Sequence, residues 1–324
     1  MKITEKTTLQ ELFDDPALEA VRGLLISGGS YYEQNAVLSL KELQDRTPTW
    51  SCADMVYGLN YLKEALASGG RVVPVYDDCP TDDARHAIRY IALPAENERP
   101  YAVLLLAGGA YGTVCTMVES LPVAAKLHEM GISCYCLNYR TADPASFDKG
   151  LFPKPLEDAA ATVKKILTER QNTRYIVCGF SAGANLAALF AAHAKEYGLP
   201  LPEGVMLAYP LNSVLNVPQE NVREYMLRGL FGQEHTEEAI RRYIPTEVMR
   251  EDYPKTYLIS CLDDNTIPRA DTRQLIDALA QKQISFFQEV HGRGGHGFGL
   301  GTGTDAEGWA ERAVSWLEGN KGGQ

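Results

Sequence analysis

From residue 71 onward the chain alternates apolar runs with amphipathic stretches, and that rhythm limits the folds open to it. The runs YAVLLL (101–106), SCYCLNY (133–139), RYIVCGF (174–180), VMLAY (205–209) and KTYLISCL (255–262) are almost continuously apolar. Strands of that kind are covered on both faces. Between and after them, residues 114–130, 155–170, 182–197, 271–282 and 306–317 carry helical spacing, and 284–290 (ISFFQEV) reads as one more strand. Residues 71–76 and 86–93 flank the turn-rich DDCPTDD and read as an antiparallel pair. The expected fold class is therefore α/β, a mostly parallel sheet with helices on both faces.

Two segments stand outside the rhythm. Residues 1–70 show helical spacing at 9–13, 17–26 and 55–66 and end at Gly69-Gly70. They are expected to form a helical N-terminal extension packed on the body. Residues 71–324 are expected to form the main domain, interrupted at 212–250 by a small insertion with short helices at 222–230 and 236–243. An insertion between two strands, over their ends, is where a cap would sit.

Charge and cysteine usage exclude several function classes. A net charge of −11 and a pI near 5.1 give an acidic surface that repels phosphate backbones, so no nucleic-acid partner is expected. No apolar stretch approaches the ~20 residues of a membrane helix, and MKITEKTTLQELFDD lacks the apolar core of a signal peptide. No membrane partner and a cytoplasmic location are expected. The seven cysteines form no C-x-x-C pair, and Cys115, Cys134, Cys136, Cys178 and Cys261 lie in or beside apolar runs. They read as buried reduced thiols. Without H-E-x-x-H or similar spacing, neither metal nor cofactor is expected.

Four motifs carry chemistry. Gly179-Phe180-Ser181-Ala182-Gly183 is G-x-S-x-G, with a strand before it and an alanine-rich helix after it. A tight strand-to-helix turn lifts the serine hydroxyl above the sheet at a helix N-terminus. Ala107-Gly108-Gly109-Ala110-Tyr111-Gly112 follows a buried strand, where small residues let a substrate approach backbone amides. Asp263-Asp264-Asn265-Thr266-Ile267-Pro268 follows another strand and offers two carboxylates that could orient an imidazole.

The fourth motif is HGRGGHGFGLGTG (291–303). It contains G-x-G-x-x-G as Gly292, Gly294 and Gly297, but FGLGTGT follows instead of a helix, and the chain ends too soon for a complete βαβ unit. The glycines are better read as letting His296 reach the serine. The order Ser181, aspartate, His296 is Ser…Asp…His. His291 lies nearer the strand, His193 sits in the helix after Ser181, and His86, His128 and His235 have no partner pattern.

AGGAYG, LNYR (137–140), GFSAG, DNTIP and GGHG together resemble the α/β-hydrolase serine esterases, in particular the hormone-sensitive-lipase and acetyl-xylan-esterase-like carboxylesterases. The resemblance covers about residues 71–318 and implies the α/β-hydrolase fold. The family's D-x-x-V-P-like segment maps its acid onto Asp264. The resemblance further implies oxyanion donors at the amides of Gly109, Ala110 and Ala182, and a structural role for Asn138-Tyr139-Arg140. The chain departs from the usual H-G-G-G or P-G-G-G by having Ala107 and Ala110.

The implied reaction is acyl transfer to Ser181 followed by hydrolysis, with His296 as base then acid and Asp264 fixing its tautomer. The implied substrate is a small-molecule ester with a short acyl group, an acetylated sugar or xylan fragment being suggested by the resemblance alone. Tyr111, Tyr225, Met226 and Phe231 are expected to line its pocket. Two other readings stay open: a prolyl-oligopeptidase-type serine peptidase, disfavoured by the missing propeller-length segment, and a catalytically silent binding protein, disfavoured by the intact triad order.

Overall fold

A computed structural model describes residues 1–95, 99–171 and 173–319. Its sheet contains β1 (Arg71–Pro74), β2 (Arg89–Leu93), β3 (Tyr101–Leu106), β4 (Ser133–Asn138), β5 (Arg174–Phe180), β6 (Gly204–Ala208), β7 (Thr256–Cys261) and β8 (Phe286–His291). The strand order is β1-β2-β4-β3-β5-β6-β7-β8. The pairs β1–β2 and β2–β4 are antiparallel, and every other pair is parallel.

Strand periodicity explains why the central runs are apolar throughout. On β3, Ala102, Leu104 and Leu106 enter one hydrophobic cluster, while Tyr101, Val103 and Leu105 enter the other. On β5, Tyr175 and Val177 face the first cluster, and Ile176, Cys178 and Phe180 the second. Successive side chains point to opposite faces, and here both faces are covered. Helices Lys154–Glu169, Ala182–His193 and Arg269–Gln281 bury residues in the first cluster. Helices Ser120–Glu129 and Trp309–Leu317 do so in the second.

Residues of the first seventy positions also enter the second cluster, among them Leu12, Leu25, Leu43, Met55, Leu59 and Leu62. The helix Cys52–Ala67 is held at its start by the Ser51 side chain, which accepts from the Asp54 amide. Besides the spacing read in the sequence, short helices form at Tyr31–Asn35 and Leu40–Arg46, the latter with a capping box from Ser39 and Glu42. Ser27 and Val114 form an isolated antiparallel bridge that ties this region to the loop after β3.

The sequence placed a helix over 114–130, but the structure starts it at Ser120. Val114 is taken by its bridge to Ser27, and the Met117 amide donates to the Leu25 carbonyl. These non-local bonds compete with the helical ladder. Between β6 and β7 lie helices Glu220–Phe231, Glu237–Arg241 and Pro245–Val248. No helix among the described residues is long and apolar enough to cross a membrane.

Candidate active site

Ser181 stands between β5 and the helix Ala182–His193 with φ 53° and ψ −120°. An L-residue at positive φ is strained, and it persists only where its surroundings over-determine it. They do so here. A Cβ at Gly179 would overlap the Gly183 carbonyl, and one at Gly183 would overlap the Leu106 carbonyl on β3. Both glycines of G-x-S-x-G are therefore required by close backbone approach. The Ser181 amide donates to Ala208 O at 3.0 Å, which fastens the turn to β6.

Three expected residues meet. His296 Nε2 lies 2.8 Å from Ser181 Oγ, and His296 Nδ1 lies 2.9 Å from Asp264 Oδ2. A carboxylate only accepts, so the proton sits on Nδ1 and the Nε2 lone pair faces the serine hydroxyl. The other oxygen of Asp264 accepts from the amides of Thr266 at 2.8 Å and Ile267 at 2.9 Å. The DNTIP turn thus fixes the carboxylate that fixes the imidazole.

Asp263 does something different. Its Oδ1 accepts from the amides of Gly295 at 2.7 Å and Gly294 at 3.1 Å, so it shapes the loop leading to His296. The two adjacent aspartates divide the work between ring and loop. Thr49 adds a contact from the N-terminal region, its hydroxyl donating to the His296 carbonyl. His291 pairs with Glu289 at 2.9 Å and His193 with Glu196 at 3.0 Å, neither touching Ser181.

After β3 the backbone turns through Gly109 (φ 128°), Ala110 (φ 52°) and Tyr111 (φ 58°). The amides of Gly112 and Thr113 both donate to Gly109 O at 3.0 Å. Among the described residues, the amides of Gly109, Ala110 and Ala182 donate to no protein acceptor. Ala110 takes positive φ despite its Cβ, a strain of about 1–2 kcal/mol. The Tyr139 hydroxyl donates to Ala107 O at 2.6 Å, and the Asn138 side chain accepts from the Ser27 hydroxyl at 2.7 Å. Arg140 pairs with buried Asp158 through Nε at 3.0 Å.

The expected pocket needs correction. Tyr111 is 1% exposed, donates its hydroxyl to Asn185 Oδ1 at 2.7 Å, and packs edge-on to Tyr139 and Phe152. Met226 is buried in the core. Both belong to packing, because the face of the helix that carries Met226 turns toward the body. Phe231 stacks on Phe152 and lines a cavity with Tyr243 whose walls include none of Ser181, Asp264 and His296. Tyr225 differs. It is 37% exposed, its ring meets Phe147 at 5.0 Å, and a Cβ at Gly112 would sit 3.1 Å from its hydroxyl. Of the three on the insertion, Tyr225 is the one set against Gly112, at the end of the turn after β3.

One buried acid went unread in the sequence. Glu119 accepts from the Gly108 amide and, at 3.0 Å, from the Tyr209 hydroxyl. Burial pushes its carboxyl up from the usual range, while the Gly108 amide, nearby His296 and Tyr209 oppose that rise. An acid inside the apolar stretch VCTMVESLPVAA was the available signal, masked by its helical spacing. No cluster of three or more His, Cys, Asp or Glu suited to a metal ion occurs among the described residues.

Comparison with known proteins agrees with this fold. A family profile described as the alpha/beta hydrolase fold matches residues 104–276. The endo-1,4-beta-xylanase B of Butyrivibrio fibrisolvens is 25% identical over 225 residues, which cover 64% of this chain and 34% of that protein. The match thus spans about a third of that relative's length. An acetyl ester-xyloside bifunctional hydrolase from Caldicellulosiruptor lactoaceticus is structurally similar, with TM-score 0.64, 24% identity, and coverage of 78% of this chain and 98% of that one. A carboxylesterase from Lactobacillus plantarum WCFS1 gives TM-score 0.60, 19% identity and coverage of 79% and 98%. At these identities the two structures establish a shared fold.

Proposed function

This chain belongs to the alpha/beta hydrolase fold family, and on that premise we propose that it is a serine carboxylesterase acting on short-acyl esters. The observation that carries the reading is the continuous relay from Asp264 Oδ2 through His296 to Ser181 Oγ, at 2.9 and 2.8 Å. In the proposed reaction Ser181 Oγ attacks the ester carbonyl as His296 Nε2 takes its proton. The carbonyl oxygen gains negative charge and is held by the amides of Gly109, Ala110 and Ala182, aided by the positive end of the helix dipole. Collapse breaks the C–O bond, and His296 returns the proton to the departing alcohol. Water then attacks the acyl-serine with His296 as base, releasing the acid. Asp264 holds the tautomer and stabilises the imidazolium at each step.

The names of the similar proteins, a xylanase and an acetyl ester-xyloside hydrolase, support acetylated xylo-oligosaccharides as the first natural substrate to try. Release of p-nitrophenol from acetyl, butyryl and octanoyl esters, with acetate release from acetylated xylo-oligosaccharide, tests the reading. Fastest turnover of the shortest acyl group is expected. No hydrolysis of any ester by folded protein would overturn it.

A further inference from the structure

Glu119 is buried, ends in a carboxyl group, and lies outside the hydrogen bonds that join Asp264, His296 and Ser181. Burying such a group is costly unless its oxygens find hydrogen-bond donors. Its two oxygens have different partners. One accepts from the amide of Gly108, and the other from the hydroxyl of Tyr209 at 3.0 Å. The Tyr209 oxygen in turn accepts from the Gly299 amide at 3.2 Å. Gly108 precedes the turn with the free amides, and Gly299 lies three residues past His296.

Each end of this chain of bonds bears on a reacting group. Gly108 lies against the nucleophile, since a Cβ there would fall 2.8 Å from Ser181 Cβ and 2.7 Å from Phe180 O. Its carbonyl also accepts from the Cys115 amide at 3.0 Å, so segment 115–119 grips both of its peptide groups. The Tyr209 ring stands edge-on to the His296 ring with centroids 5.0 Å apart. Tyr209 holds φ 39°, a strained value for a large residue, with its amide bound to Ile259 O at 2.7 Å. Gly299 packs so closely on Val118 that a Cβ would overlap the Val118 carbonyl.

We propose that Glu119 is a positioning residue that braces the oxyanion turn at Gly108 and, through Tyr209 and Gly299, the loop of the base, so that both are set against Ser181 together. The inference rests on the esterase reading of the same site. It acts on transition-state geometry, so its loss lowers kcat and leaves KM near its original value.

Three variants test it. Glu119→Gln keeps an acceptor for Gly108 and can donate to the Tyr209 oxygen, so it retains the shape of the brace. Glu119→Ala removes both ends, and Tyr209→Phe removes the hydroxyl that joins Glu119 to Gly299 while leaving the bond from Gly108 to Glu119 in place. Relative to wild type, Glu119→Ala should lose roughly 10²-fold in kcat, comparable to losing one oxyanion donor. Tyr209→Phe should lose about tenfold, and Glu119→Gln should restore most of the loss. Affinity for a trifluoromethyl ketone, which mimics the tetrahedral adduct, should fall in parallel with kcat. Unfolding midpoints identify any variant that has not folded. If Glu119→Ala does not fold, Tyr209→Phe alone decides.

Wild-type kcat and inhibitor affinity in folded Tyr209→Phe, or losses confined to KM, would overturn the brace. Absence of ester turnover in the wild type would instead overturn the esterase reading. The rate of Ser181 modification by a fluorophosphonate then reads the brace in the same variants: slowing in Tyr209→Phe supports it, and an unchanged rate overturns it.

Discussion

The turn after β5 and the helical insertion between β6 and β7 both reach the turn after β3, but they are built to opposite tolerances. At the first, Ser181 is strained and flanked by glycines whose Cβ atoms would overlap backbone. At the second, the helix Glu220–Phe231 buries only Met226, Gly229 and Leu230, and leaves Val222 and Tyr225 more than a third exposed. The difference teaches where each kind of function can reside. Bond-making needs atoms held to a fraction of an ångström, which a backbone with no room to move provides. Selectivity among acyl groups needs a wall that can vary without disturbing that backbone.

Mutations at the two places should therefore fail differently. Ser181→Ala should lose roughly 10⁴–10⁶ in kcat while its unfolding midpoint stays near wild type, as removal of a nucleophile does in other triads. Steady-state kinetics beside thermal unfolding check both halves. More than a tenth of wild-type turnover would remove the nucleophile from the turn. Asp264→Asn should lose about 10⁴ in kcat through the wrong imidazole tautomer. Asp263→Asn keeps one acceptor for the loop amides and should lose about tenfold or less by the same measure. The reverse ranking would exchange the roles of the two aspartates.

On the insertion, effects should be smaller and of another kind. Met226→Ala should lower stability by about 2–4 kcal/mol in urea unfolding, because it empties a packed site, and leave acyl preference unchanged. Tyr225→Ala should leave acetyl-ester turnover near wild type and raise the rate on longer chains, within the roughly 1–3 kcal/mol that a pocket wall contributes per methylene. An acyl-chain profile unchanged by Tyr225→Ala would confine the whole insertion to packing.

The contrast also explains what could be read from sequence. The sheet was legible because strands buried on both faces must be apolar at every position, as 101–106 and 174–180 are. The turn at Ser181 was legible because its glycines are demanded by contacts within a few residues and by the neighbouring strand. Asp263 and Asp264 could not be separated by spacing alone. Only the fold shows one carboxylate on the imidazole and the other on the amides of Gly294 and Gly295.

Glu119 stayed hidden because residues 114–130 satisfy helical spacing, whereas their first six are drawn out of the helix by Leu25 and Ser27. Those bonds span some ninety residues, beyond any local pattern. The hydroxyl of Thr49 on the His296 carbonyl spans 247. Tyr111 was misread for a related reason. At positive φ its side chain turns inward to Asn185 instead of facing the space over the serine.

The central claim is that one hydroxyl, at position 181, is activated by His296. Intact mass after incubation with a fluorophosphonate, followed by peptide mapping, tests it without any choice of ester. Wild-type protein should gain one adduct, on Ser181, and Ser181→Ala should gain none, with His296→Ala slowed by several orders of magnitude. Folded wild-type protein that gains no adduct, or carries it on another residue, would contradict the account.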